Sequence, residues 1–200
     1  MWQKNSIISI ISTFNKVVVE LGMGDGQLLS NIIEHEKNPN TCYVGIEIDP
    51  IQIQESRNKL RRKNVFLINE SFEQVLSYFP HNYVDHFIFV LPPPCYIDKS
   101  MEKQWIILYQ NIFMKLKQKG IFTIVTEVIN DLLEPVTDNE VKSCVEWLGS
   151  SFAALGFKIK DIFEDSPNYY SSHFLEQFRG DQLRIRLITL ILVKPGPKLI

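Results

Sequence analysis

"VVVELGMGDGQLL", residues 17–29, decides the reading of this chain. Val17, Val18 and Val19 are β-branched and suit a buried strand. The run ends in Glu20, and glycines then stand at 22, 24 and 26 before the apolar spacing turns helical. Glycine costs backbone entropy inside a regular element, so glycines at alternate positions mark a turn that needs left-handed backbone or the close approach of a ligand. Strand, glycine turn and helix together open a strand–helix–strand unit.

The pattern continues outward from there. A strand over 17–21 and a helix over 26–35 are followed by the strand "CYVGIEID" and a helix over 50–63, opened by Pro50. "NVFLIN" is a third strand, "SFEQVLSYF" a short helix, and "VDHFIFVL" a fourth strand stopped by Pro92, Pro93 and Pro94. A helix over 103–117 leads to the strand "KQKGIFTIVTE" and then to the helix "DNEVKSCVEWLGSSFAALG". "FKIKDIF" and "LRIRLITLILV" follow with no helix of obvious length between them, and so read as an antiparallel pair. Such alternation predicts an α/β fold: a Rossmann-like, seven-stranded, mostly parallel sheet with an antiparallel last strand and helices on both faces. One domain over 1–200 is expected, with an N-terminal helix over 1–15, a cofactor half over 17–90 and an acceptor half over 91–200.

Composition narrows the class. The chain is 45% hydrophobic and 22% charged, which is globular rather than disordered. A net charge of −2 offers no whole-molecule attraction to a polyanion. The three cysteines, Cys42, Cys95 and Cys144, are too far apart for a zinc site or a disulfide framework, which points to a reducing cytoplasm. His35, His81 and His86 have no metal-like partners, and no metal is expected. The N-terminal stretch has an apolar face at Ile7, Ile8, Ile11 and Phe14, interrupted by serines and without a cleavage-like site. It reads as an amphipathic helix on the domain, and no stretch is long enough to be a membrane span.

The glycine spacing is E-x-G-x-G-x-G, from Glu20 through Gly22, Gly24 and Gly26. A dinucleotide fingerprint is G-x-G-x-x-G, with room for a pyrophosphate. An acid before the glycines suits a ligand with a positive amino group instead. Glu47 ends the next strand, where a carboxylate can accept from both hydroxyls of a ribose; Asp49 competes for that role. Glu70, or Asn69, stands after the third strand. This set resembles motif I and the following acidic positions of the class I S-adenosylmethionine-dependent methyltransferases. The resemblance implies that Glu20, Gly22, Met23, Gly24 and Gly26 cradle the methionine part of the cofactor. It places Glu47 on the ribose, Glu70 on the adenine, and Ile48, Ser71 and Leu91 around them.

From residue 15 to residue 193 the chain resembles the tRNA (guanine-N7)-methyltransferase family. "LPPPC" at 91–95 falls in register with that family's F-P-D-P-W, and Thr126-Glu127 with its Thr-Asp. "SSHFLEQFRGDQLRIR" is similar to its C-terminal T-x-[FY]-E stretch at Ser172, Phe174, Glu176 and Gly180. The resemblance implies transfer to a base of structured RNA, with Glu127, Pro92, Pro93 and Asp98 at the reacting centre. The departures are that Pro93 replaces the family's acid and Cys95 its aromatic residue, with only Lys99 and Lys103 following. The chain is also similar to the rRNA adenine-N1 methyltransferases, which sandwich a flipped base between aromatics. Tyr96, Trp105 and Phe174 are available for that, Trp105 more readily as a helix core residue. Small-molecule or protein methylation, and an inactive cofactor-binding scaffold, stay open.

Contacts to RNA are expected from Tyr96, Lys99, Ser172, His173, Phe174 and Glu176, and from Arg184 and Arg186 on one strand face near the phosphates. The basic end of "RNKLRRK" reads as a solvated helix terminus. The chain is expected to be a monomer or a homodimer.

Overall fold

A computed structural model describes residues 8–9, 11–130, 132 and 134–197. Its sheet is built from β1 (Lys16–Leu21), β2 (Thr41–Glu47), β3 (Val65–Asn69), β4 (Val84–Val90), β5 (Leu116–Val128), β6 (Lys158–Glu164) and β7 (Arg186–Val193). Their spatial order is β3-β2-β1-β4-β5-β7-β6. The first five strands run parallel, and β7 lies antiparallel between β5 and β6. The helices are α1 (Gln27–Glu36), α2 (Pro50–Lys59), α3 (Phe72–Leu76), α4 (Glu102–Lys115), α5 (Asp138–Ala154) and α6 (His173–Arg179). This is the seven-stranded architecture expected, with the antiparallel last strand.

Alternation along the strands divides the core between the two faces of the sheet. Val17, Val19 and Leu21 of β1 join Phe87, Phe89, Phe122, Trp105, Tyr109 and Phe152 on one side. Val18 joins Ile88, Val125, Leu29, Ile32, Tyr43 and Tyr170 on the other. Each of these side chains stabilises the fold by about 1.5–3 kcal/mol when fully buried. Trp105 is 1% exposed, so it is a core residue and not part of a base sandwich. Of the expected N-terminal helix, Ile7 lies outside the described residues. Residues 8, 9 and 11 are helical, Ile11 is buried, and Phe14 packs edge-on against Phe66.

The structure differs from the sequence reading in three places. First, α2 ends at Lys59 because Leu60 turns inward, 5% exposed, to pack beneath the glycine turn. Second, Arg184 is not on a strand: it lies in a turn in which its N–H donates to Asp181 O, and β7 begins only at Arg186. Third, a helix, α6, stands between the last two strands. Ser172 caps it by accepting from Leu175 N–H at 3.3 Å, and Leu175 is its one buried side chain. With only Leu175 and the half-buried Phe178 packed on the core, α6 is too short to show a helical period in sequence.

Candidate functional site

In an open α/β sheet, ligands bind beyond the carboxyl ends of the strands where the strand order reverses. Here that point lies between β1 and β4. The chain leaves β1 through Gly22, Gly24 and Gly26 at φ of 65°, 57° and 75°, all left-handed. The first two glycines have room around them: a Cβ at Gly22 would meet Phe89 at 3.9 Å and one at Gly24 would meet Gln52 Oε1 at 4.0 Å, both ordinary contacts. A Cβ at Gly26 would instead strike Leu60 at 2.8 Å and Ser56 at 3.1 Å, so the third glycine seats α1 against α2. Met23 is 4% exposed and points down; a Cβ at Gly45 would lie 2.1 Å from its sulfur. Met23 therefore reaches the mouth through its backbone alone.

Glu20 is 2% exposed, and its Oε2 is buried without a hydrogen-bond partner. Burial raises its pKa well above the ordinary carboxylate value, and the nearby Asp25 and Glu47 raise it further. Glu47 ties the site together. Its Oε2 accepts from Gly24 N–H and its Oε1 from Asp49 N–H, both at 2.9 Å. Each carboxylate oxygen retains a second acceptor position. Asp49 is occupied elsewhere, accepting from Ile51 N–H at 2.8 Å as the N-cap of α2. Asn69 is structural as well, donating to Glu47 O at 3.0 Å and Ile48 O at 2.9 Å. Glu70 is half-buried beside it and accepts from Ser71 N–H at 3.3 Å, while the Ser71 hydroxyl donates to Glu73. Ile48 is 68% exposed, an apolar wall at this end of the mouth.

The far side of the mouth begins at Leu91, whose φ of 49° is left-handed and strained for a branched residue. Its N–H is fixed to Val125 O at 2.8 Å. Pro92 is buried, and Pro93 and Pro94 are exposed. The Pro93 carbonyl accepts from Tyr96 N–H, and that of Pro94 from Ile97 and Asp98 N–H, so these carbonyls fold their own turn rather than line a pocket. Tyr96 packs on Phe72 and Phe89, and its hydroxyl donates to Glu73 at 2.9 Å. The Asp98 carboxylate caps the turn Lys99–Met101 by accepting from Ser100 N–H and hydroxyl at 2.6 Å. That holds its pKa below the ordinary range. Lys99 is exposed and stands over the Trp147 ring.

Glu127, at the end of β5, differs from these. Its Oε2 is buried without a partner, as is the neighbouring Thr126 hydroxyl, and desolvation raises the carboxyl's pKa. The segment before α6 lies against α1 and the glycine turn. Tyr170 is 2% exposed and interacts electrostatically with Glu20, and His173 likewise with Asp25. Next to His173, Phe174 is 62% exposed. Ser172 is half-buried and spent as a cap, and Glu176 pairs with Arg179 at 2.8 Å. Arg184 is held by Asp181, and Arg186 by Asp138 and Glu164, both at 2.5 Å. The two arginines expected near phosphates are thus matched by acids within the chain. Sequence reasoning passed over Asp25, Asn31, Tyr170 and Arg179. Of these, only Asp25 had a visible signal, its place between two glycines.

The reversed strand order, the glycine cradle and the unpartnered acid behind it are the arrangement expected of the class I methyltransferase fold. A family model described as "Putative methyltransferase" matches residues 14–146, and the chain belongs to that family. A tRNA (guanine-N(7)-)-methyltransferase of Mycoplasma genitalium is 26% identical over 138 residues, covering 64% of this chain and 58% of that protein. The chain thus spans little more than half the length of that relative. The solved 16S rRNA methyltransferase KamB is similar in fold, with a TM-score of 0.74 at 16% identity over 98% of this chain and 95% of that one. A 16S rRNA (adenine(1408)-N(1))-methyltransferase W203A mutant with S-adenosylmethionine, from Catenulisporales acidiphilia, has a TM-score of 0.67. It is 17% identical, with 99% of this chain and 94% of that chain covered. Among the described residues, no helix is long and apolar enough to cross a membrane.

Proposed function

We propose that this protein methylates a base in structured RNA, guanine N7 of a tRNA, in the cytoplasm, with S-adenosylmethionine as donor. The observation that carries the reading is a pair of carboxylates that each have one buried oxygen without a partner, Glu20 at the end of β1 and Glu127 near the end of β5. A buried carboxylate oxygen lacking a donor is costly, and a different ligand group would satisfy each. Glu20, behind the glycine cradle, suits the ammonium of the methionine moiety. Glu47, already oriented by two backbone N–H groups, has acceptor positions left for two ribose hydroxyls. Glu70 and Ile48 stand where an adenine would lie.

The cofactor supplies an electrophilic methyl group on a sulfonium. Guanine N7 is a bare lone pair, so transfer releases no proton from the base and needs alignment more than a general base. Glu127 fits that task, since its free oxygen accepts from the N1–H and N2–H edge of a guanine and so turns N7 toward the donor. Phe174 and His173 offer exposed rings at the mouth for a base pulled from its stack. Because Arg184 and Arg186 are neutralised, Lys99 and the exposed Lys103 are left to meet phosphates.

The test is transfer from methyl-labelled S-adenosylmethionine to unmodified tRNA and to 16S rRNA transcripts, followed by nucleoside analysis. The expected product is 7-methylguanosine in tRNA. Label as N1-methyladenosine in rRNA would move the target, and no label in any RNA would refute the reading.

A further inference from the structure

The segment 165–175 runs beside α1 and the glycine turn and carries Ser172, His173 and Phe174, yet most of it has no regular structure of its own. Two side chains from different places seize consecutive carbonyls of it. Asn31 Nδ2, on α1, donates to Ser171 O at 3.0 Å. Arg179 Nη1, on α6, donates to Tyr170 O at 3.0 Å. The same guanidinium bonds Asp165 Oδ1 at 2.9 Å, Ser166 Oγ at 2.7 Å and Glu176 Oε1 at 2.8 Å. One planar fork thus gathers three points of the segment and ties them to Glu176 on its own helix, which a lysine cannot reproduce. Asn31 is itself aimed: its Oδ1 accepts from Gln27 Nε2 at 2.9 Å, and Gln27 N–H donates to Asp25 Oδ1 at 3.1 Å within the glycine turn. Tyr169 adds a stacked contact on His35 of α1, with centroids 3.9 Å apart.

We infer that Asn31 and Arg179 are positioning residues that preform the acceptor wall, holding Ser172, His173 and Phe174 over the mouth before the acceptor arrives. The inference rests on the proposed RNA base methylation for what the wall is used for, but not for the clamp itself. A loop ordered in advance spares the acceptor the entropy of ordering it. When the loop is released, only a fraction of molecules is competent, and apparent acceptor affinity falls by that fraction while turnover at saturation is kept.

The test uses the full chain with Asn31→Ala and, separately, Arg179→Lys. Three quantities are read: amide hydrogen exchange over 166–172, S-adenosylhomocysteine affinity by calorimetry, and kcat and KM for tRNA. Each variant is expected to exchange about tenfold faster in that segment. S-adenosylhomocysteine should bind within about twofold of native, and KM for RNA should rise about tenfold with kcat held within about twofold. Native exchange rates over 166–172 in both variants would overturn the clamp. So would a fall in kcat at unchanged KM, or a parallel loss of cofactor affinity, which would make the residues general supports of the fold. If the native chain methylates no RNA, the proposed function fails, while the exchange arm still decides whether the clamp exists.

Discussion

Replacing Glu20 by glutamine should stabilise the free protein and cripple its cofactor site, opposite signs that few substitutions combine. Glu20 is 2% exposed, has one oxygen without a partner, and stands near Asp25 and Glu47. The folded chain therefore holds the Glu20 proton more tightly than the unfolded chain does, where the ordinary value is 4.5. Stability from this group is complete below that value and is lost as pH rises through the raised folded value. Glutamine keeps the shape without the charge, so the loss disappears. At about pH 8 the variant should gain about 1–3 kcal/mol, the cost of an unsatisfied buried polar group, or about 2–10 °C in Tm for a chain of this size. Near pH 4 the two proteins should converge. The variant also loses a charge-assisted bond to the donor's ammonium, worth about 1.5–3 kcal/mol, and S-adenosylmethionine affinity should fall roughly 10- to 150-fold. Thermal unfolding across this pH range, with calorimetry of both proteins, reads both effects. A variant that binds S-adenosylmethionine as tightly as the native chain, or is less stable at every pH, would refute the role given to Glu20.

Three further outcomes follow from particular side chains. Gly24→Ala places a Cβ on a backbone with φ of 57°, touching only Gln52 Oε1 at 4.0 Å; urea unfolding should show a loss of about 1–2 kcal/mol, and S-adenosylhomocysteine affinity should drop about tenfold. His86 is half-buried, bonded to Thr123 at 2.9 Å, and its desolvation lowers its pKa to about 3. Its unfolded form takes up a proton first on acidification, so stability drains by about 1.36 kcal/mol per pH unit below about pH 6.5. By pH 5 that is about 2 kcal/mol, a slope that His86→Gln should remove in urea titrations. Phe174→Ala, at a side chain 62% exposed, should leave stability within about 0.5 kcal/mol while kcat/KM for RNA falls about tenfold, as for loss of a base-stacking surface.

The cofactor half was legible because its signals are local. A β-branched run, an acid and left-handed glycines fall within one turn of chain, and strand period and helix period change where the glycines stand. Glu47 could be placed at a strand end by the same logic. That Asp49, its competitor, is taken up as the cap of α2 was not legible. The acceptor half was harder, because its pairings are distant. Asn31 meets Ser171 across 140 positions, and Arg186 is neutralised by Asp138 and Glu164 from two other elements. Alternation showed that Arg186 was on a strand, but not which acids awaited it. Asp98 and Tyr96 looked available in sequence because a capping bond and a bond to Glu73 leave no periodic trace. α6 escaped because two core contacts in seven residues, Leu175 and Phe178, make too short a pattern.

The central claim is that the glycine turn with Glu20 and Glu47 binds S-adenosylmethionine. Calorimetric titration of the native chain and of Glu47→Ala with S-adenosylmethionine tests it most directly. The account predicts one molecule bound per native chain, weakened by about 1–3 kcal/mol in the variant, which strands the partners of the lost carboxylate. No binding by the native chain, or equal binding by both proteins, would contradict it.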